Sequence, residues 1–164
     1  MPSNPSLPRV HIATDHAGME LSAHLVRHLA SRGYEVVDHG PKEYDPLDDY
    51  PAFCINAATA VVTDQAAGRP ALGIVLGGSG NGEQIAANKV GGIRAALAWN
   101  LSTAKLARQH NDANVVAIGG RQHTLDDATT LIDAFLQEPF SEDERHLRRI
   151  AKIAQYETTG TVPG

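Results

Sequence analysis

Short apolar runs alternate along the chain with longer stretches in which apolar residues recur every three or four positions. Residues 9–14 form the first run and predict a β-strand. Over 19–31, Leu21, Leu25 and Leu29 fall at i, i+4 and i+8 with Val26 beside them, which is one face of a helix that Gly33 stops. Residues 35–38 predict a second strand and 41–49 a polar loop. Pro51 suits a helix start, and Phe53, Ala57, Ala60 and Val61 supply that helix with a buried stripe. The most apolar strand, 72–76, runs into a glycine cluster and then a helix through Ile85, Ala86 and Lys89. A strand at 94–98, a helix at 102–109 and a strand at 115–118 follow. Thr124 caps the next helix, whose core face is Leu131, Ile132, Phe135 and Leu136 and which Pro139 ends. Ser141 with Glu144 forms a capping box that opens a last helix to about Gln155.

Strict alternation of strand and helix predicts an α/β protein. The expected architecture is a single-domain, doubly wound, Rossmann-like sheet of five parallel strands with helices on both faces. Such folds bind ligands outside the carboxyl ends of their strands. That singles out residues 14–18, 38–40, 77–83, 99–100 and 119–123. The 164-residue length suits one core. The domain is placed at 9–157, between a proline-rich lead-in at 1–8, expected to be disordered, and a flexible tail at 158–164.

Composition removes several function classes. With 14 Lys+Arg against 19 Asp+Glu the net charge is −5, which disfavours a general grip on nucleic acid. Aromatic residues are only 5%, too few for a base-stacking surface. No apolar run is long enough to span a bilayer, the N-terminal residues do not read as a signal peptide, and Cys54 is the single cysteine. A cytoplasmic location is therefore expected. His24 and His28 have metal-site spacing but lack a third ligand nearby, and neither Cys-x-x-Cys nor a calcium loop is present, so no metal site is predicted.

The chemistry concentrates in Gly77-Gly78-Ser79-Gly80-Asn81-Gly82-Glu83. Glycines let the backbone approach a ligand and expose successive N–H groups, which makes an anion site. The pattern is not a dinucleotide fingerprint, a P-loop or a nucleophile elbow. A carboxylate at Glu83, beside donors aimed at an oxyanion, is what moving a proton on carbon next to a carbonyl requires. The blander reading is a glutamate favoured in a first helical turn. Asp15 and His16 follow the first strand and could exchange protons with a sugar or grip a phosphate; the alternative is a capping aspartate beside an exposed histidine. Asp48 and Asp49 read as a cap before a helix start, with Tyr50 lining the pocket. Arg145 and Arg149 share a helix face, which suits a phosphate or is simply solvated.

Taken together, Ile12-Ala-Thr-Asp-His-Ala-Gly18, Asp49-Tyr-Pro51, Gly73 to Gly82, Ile85-Ala-Ala-Asn-Lys89, His110-Asn111 and Gly119-Gly-Arg121 resemble the type B ribose-5-phosphate isomerases and their galactose- and allose-6-phosphate relatives. The resemblance implies a metal-free, cofactor-free aldose–ketose isomerase that takes a phosphosugar and works as a homodimer with shared sites, possible tetramers included, the C-terminal helix reaching the partner. It implies Glu83 as base with Ser79, Asp15 and His110 as further catalytic residues. His16, Tyr50, Gly78, Gly80, Asn81, Gly82 and Asn111 would bind substrate, with Arg121, Arg145 and Arg149 holding its phosphate from the partner subunit. Many members of that family carry a catalytic cysteine at the position of Gly77 and an apolar residue at that of Glu83. This chain resembles the branch with a glutamate base. The expected reaction interconverts ribose 5-phosphate and ribulose 5-phosphate in the pentose phosphate pathway. The alternatives are a six-carbon phosphosugar, or a non-catalytic module that binds a phosphosugar or nucleotide.

Overall fold

A computed structural model describes residues 2–164. Five strands form one parallel sheet in the order β2-β1-β3-β5-β4. They are β1 (Arg9–Thr14), β2 (Val36–Asp38), β3 (Ala71–Gly77), β4 (Ala95–Leu97) and β5 (Val115–Gly119). The helices are α1 (Met19–Ser31), α2 (Tyr50–Ala66), α3 (Asn81–Ala87), α4 (Leu101–Asn111), α5 (Leu125–Gln137) and α6 (Glu144–Thr159). The predicted doubly wound fold is the observed one. Strand residues alternate between two cores. Val10, Ile12, Ile74, Leu76, Val116 and Ile118 pack against α1, α4 and α5. Ala13, Val75, Val115 and Ala117 pack against Cys54, Ala57 and Val61 of α2 and Ala86 and Ala87 of α3. Both faces are covered, so β3 is buried at every position.

The differences from expectation are local. The two edge strands are shorter than predicted, because their outer backbone groups have no neighbouring strand. Ser141 does not cap α6. Its hydroxyl faces His146 Nδ1 at 2.9 Å, and Asp143 is the cap, accepting from the Arg145 amide. The helix continues past Gln155 to Thr159, where Gly160 takes the left-handed conformation (φ 70°) that ends it. In the lead-in, the Asn4 amide donates to the Gly33 carbonyl at 2.7 Å and Leu7 packs on the α1 core.

The outer edge of β4 is closed by side chains. Asn88 Oδ1 accepts from the Ala95 amide at 2.8 Å, and Asn88 Nδ2 and Gln84 Nε2 donate to the Ala95 carbonyl. Asn88 belongs to the Ile-Ala-Ala-Asn-Lys motif, and its role here is architectural. Asn88→Ala strands a buried N–H and is expected to lower unfolding free energy by about 1–3 kcal/mol in urea titration. A change under 0.5 kcal/mol, about the size of a surface substitution, would show that the edge amide is satisfied without it.

Candidate active site

The chain leaves β1 toward β2 and returns on the other side of β1 to form β3, so the winding direction reverses between β1 and β3. In open α/β sheets the crevice at such a reversal, outside the strand carboxyl ends, is the ligand site. Asp15 follows β1 and the glycine loop follows β3, so both reach this crevice.

Glu83 lies in the first turn of α3 and is 4% exposed. Its carboxyl is pushed above the ordinary glutamate range, chiefly by burial, with the charge of Asp15 adding to it. Hydrogen bonds from its own amide and that of Gly80 pull the other way. The carboxylate occupies the space beside Gly77: a Cβ there would come 1.8 Å from Glu83 Oε1. Gly80 has φ 84°, and a Cβ on it would meet Leu97 and the β5 backbone. The Asn81 amide donates to Ser79 Oγ, whereas the Gly78 and Ser79 amides donate to no backbone group among the described residues. Those two N–H groups are free to receive an oxyanion.

The walls come from neighbouring elements. The Tyr50 ring, at the start of α2, lies against Gly82, and Arg121, after β5, lies against Gly78. Cys54 of α2 is fully buried, and its thiol is pushed up to about 12 by burial and then by the charges of Glu83 and Asp15. It is a neutral wall group. On the far side of the loop a cavity of about 530 Å³ is lined by Ser79, Asn81, Leu97, Trp99, Gln122 and His123. That volume is in the range of small-molecule sites.

Asp15 both caps and lines the site. It is 7% exposed and accepts from the Ala17 amide at 2.9 Å. His16 is not a free surface residue, because Asp48 Oδ1 lies 2.6 Å from its Nδ1. Asp49 holds the cap position of α2 without making a side-chain cap bond. Asp48, expected as part of the α2 cap, instead holds His16, a partner 32 residues away that nothing local marks. Donor atoms of Asp15, His16 and Asp48 converge within 4.8 Å. The 2.6 Å contact is a hydrogen bond, shorter than the spacing of about 3.3 Å between two donors around one tetrahedral metal at about 2.0–2.1 Å.

The remaining residues lie elsewhere in the same chain. α4 starts at the carboxyl end of β4 and runs back, so His110 and Asn111 finish beside the amino ends of the strands. There Asn114 accepts from the Gly73 amide and Arg94 Nε donates to the Asn111 carbonyl. An 11-residue helix is about 16 Å long. His110 therefore stands a full sheet length from Glu83. Arg145 and Arg149 go with it, because the Ser141 amide donates to the Gln109 carbonyl and the His146 ring lies tilted against His110 with centroids 4.2 Å apart.

The model of the ribose/galactose isomerase family matches residues 10–153. The chain belongs to the ribose/galactose isomerase family. Within that family it is 54% identical to the ribose-5-phosphate isomerase B of Mycobacterium tuberculosis over 155 residues, covering 94% of this chain and 93% of the relative. It is 38% identical to that of Escherichia coli over 151 residues, covering 92% and 97%. Among solved structures, the Mycoplasma genitalium ribose-5-phosphate isomerase B with bound ribulose-5-phosphate superposes with a TM-score of 0.89 at 40% identity, covering 95% of this chain and 99% of that one. Family membership holds over the whole sheet and over both separated groups of residues.

Proposed function

We propose that the protein interconverts ribose 5-phosphate and ribulose 5-phosphate, with Glu83 as the base, in the cytoplasmic pentose phosphate pathway. The observation that carries this reading is a buried carboxylate with a raised pKa, facing a crevice beside two unengaged backbone amides. Its relatives named ribose-5-phosphate isomerase B, and the ribulose-5-phosphate held by one of them, supply the substrate class. Among the described residues no helix is long and apolar enough to cross a membrane.

The reaction begins with the aldose ring opened by acid–base groups, for which Asp15 and His110 are the candidates. Glu83 takes the proton from C2, and the C2–H electron pair enters the new C1–C2 double bond. The C1 oxygen gathers negative charge and is held by the Gly78 and Ser79 amides, with Gly80, Asn81 and Gly82 shaping the loop. The O2 proton moves to O1, with Ser79 as relay, and the protonated Glu83 delivers its proton to C1. One carboxyl serves as base and then acid, which suits a group whose pKa burial has raised above the ordinary carboxylate range. His16, Tyr50 and Asn111 hold the sugar, and Arg121, Arg145 and Arg149 its phosphate. That remote binding energy positions the reacting carbons.

A sheet length separates the two groups within one chain, so the complete site is formed between two copies. The apolar residues Leu147 and Ile153 of α6 are 49% and 55% exposed, an unusual investment for a solvated helix and a fitting one for a homodimer contact. The test is a coupled assay of ribose 5-phosphate in chelator, with Glu83→Gln and Arg145→Ala each inactive or raised in KM alone. When the two variants are mixed and allowed to exchange subunits, one of the two sites in each mixed dimer regains every residue, and turnover should return. Turnover that does not return means that each site is built from one chain. A wild type that turns over only six-carbon phosphosugars replaces the substrate, and one that isomerises neither replaces the enzyme reading by the binding module.

A further inference from the structure

We propose that Asp48 is a positioning residue that sets the orientation and proton placement of His16 in the substrate crevice. The inference rests on the reading above, in which His16 meets the substrate.

Asp48 Oδ1 accepts twice from the same residue, from the His16 ring at Nδ1 (2.6 Å) and from the His16 backbone amide (3.1 Å). Two bonds from one oxygen fix both where the backbone turns after β1 and how the imidazole is rotated. Beside an ionised carboxylate, which only accepts, the ring proton sits on Nδ1. Nε2 is then the nitrogen left for a ligand, as an acceptor while the ring is neutral and as a donor when it is charged. His16 Nε2 makes no hydrogen bond among the described residues, and the ring stands edge-on to Tyr44 with centroids 6.1 Å apart.

The Asp48 carboxylate is itself held. Its amide donates to the Asp45 carbonyl at 3.1 Å, and Asp45 Oδ1 accepts from the Leu47 amide at 2.9 Å, so 45–48 is a tight side-chain-braced turn. The Asp48 side chain is 10% exposed, and its second oxygen, Oδ2, is buried without a hydrogen-bond partner among the described residues. A carboxylate kept this dry with one oxygen unpartnered is unfavourable for folding alone. It is explained by a demand placed on it by His16. The same arrangement, a buried carboxylate that fixes the tautomer of a working histidine, recurs in acid–base sites of unrelated folds.

The test is a double-mutant cycle between Asp48 and His16, read in kcat and KM together with melting temperature. Asp48→Ala is expected to lower kcat/KM by about 10- to 100-fold, the range known for hydrogen-bond partners behind metal-bound histidines. Asp48→Asn, which keeps an oxygen to accept both bonds, should retain more activity than Asp48→Ala. In a His16→Ala background Asp48→Ala should cause no further loss. An equal loss in both backgrounds overturns the proposal and leaves Asp48 as a general structural residue. Wild-type activity in His16→Ala alone instead overturns the reading that His16 meets the substrate. If Asp48→Ala does not fold, Asp48→Ser, which is too short to reach the ring, carries the same cycle.

Discussion

Glu83→Gln is expected to abolish isomerisation while making the protein more stable at neutral pH. Loss of a general base lowers kcat by about 100- to 10,000-fold. The stability gain follows from the direction of the Glu83 shift. Burial raises its pKa first and Asp15 adds to it, so the folded chain holds the Glu83 proton more tightly than the unfolded chain does. The stability this contributes is present in acid and is lost as pH rises from the ordinary glutamate range through the raised value. Above the raised value the wild type bears the cost of a buried charge, and the glutamine does not. The difference in melting temperature between variant and wild type should therefore be largest at neutral pH and shrink toward pH 4. In the wild type, kcat/KM should fall on acidification with a midpoint above the ordinary carboxylate range, and Asp15→Asn should move that midpoint down. Near wild-type kcat in Glu83→Gln removes Glu83 as the base. A less stable variant at pH 7 would mean that the amide bonds to the carboxylate outweigh its burial.

Gly77→Ala is expected to be nearly as damaging, for a steric reason. Gly77 is not among the left-handed glycines, so no backbone conformation requires glycine there. Only the 1.8 Å approach of Glu83 Oε1 to the place of its Cβ does. Any side chain at 77 expels the carboxylate from the crevice. A side chain at 77 and a carboxylate at 83 therefore compete for one volume, so a cysteine at 77 requires a different residue at 83. Gly77→Cys alone should lose activity like Gly77→Ala. Gly77→Cys combined with Glu83→Leu should recover about tenfold over either single change, a non-additivity expected of two groups in direct contact. A Gly77→Cys single variant that turns over normally would show that the two groups do not compete.

Much of this was legible in the sequence, and the failures have identifiable physics. The central strands were placed to within two residues because they are apolar on both faces. The alternation with helices placed the site at the strand carboxyl ends, and with it Asp15 and Glu83, whereas the strand order and the β1/β3 crevice depend on long-range pairing and came only from the structure. The separation of His110 from Glu83 was also available, because a helix that starts at one edge of a parallel sheet must end at the other. Ser141 misled because a capping box is a local pattern, and the hydroxyl faces His146 instead. Asp48 misled for the converse reason: its local context says cap, and its partner comes from the end of β1.

The amide side chains that seal β4 also bear on how copies of this chain can meet. The Ala95 amide and carbonyl, already taken by Asn88 and Gln84, are closed to a foreign strand. The opposite edge, β2, offers only three residues. Both edges of the sheet are thereby poor templates for strand addition. The contact between copies proposed above uses α6 and leaves both sheet edges out of it.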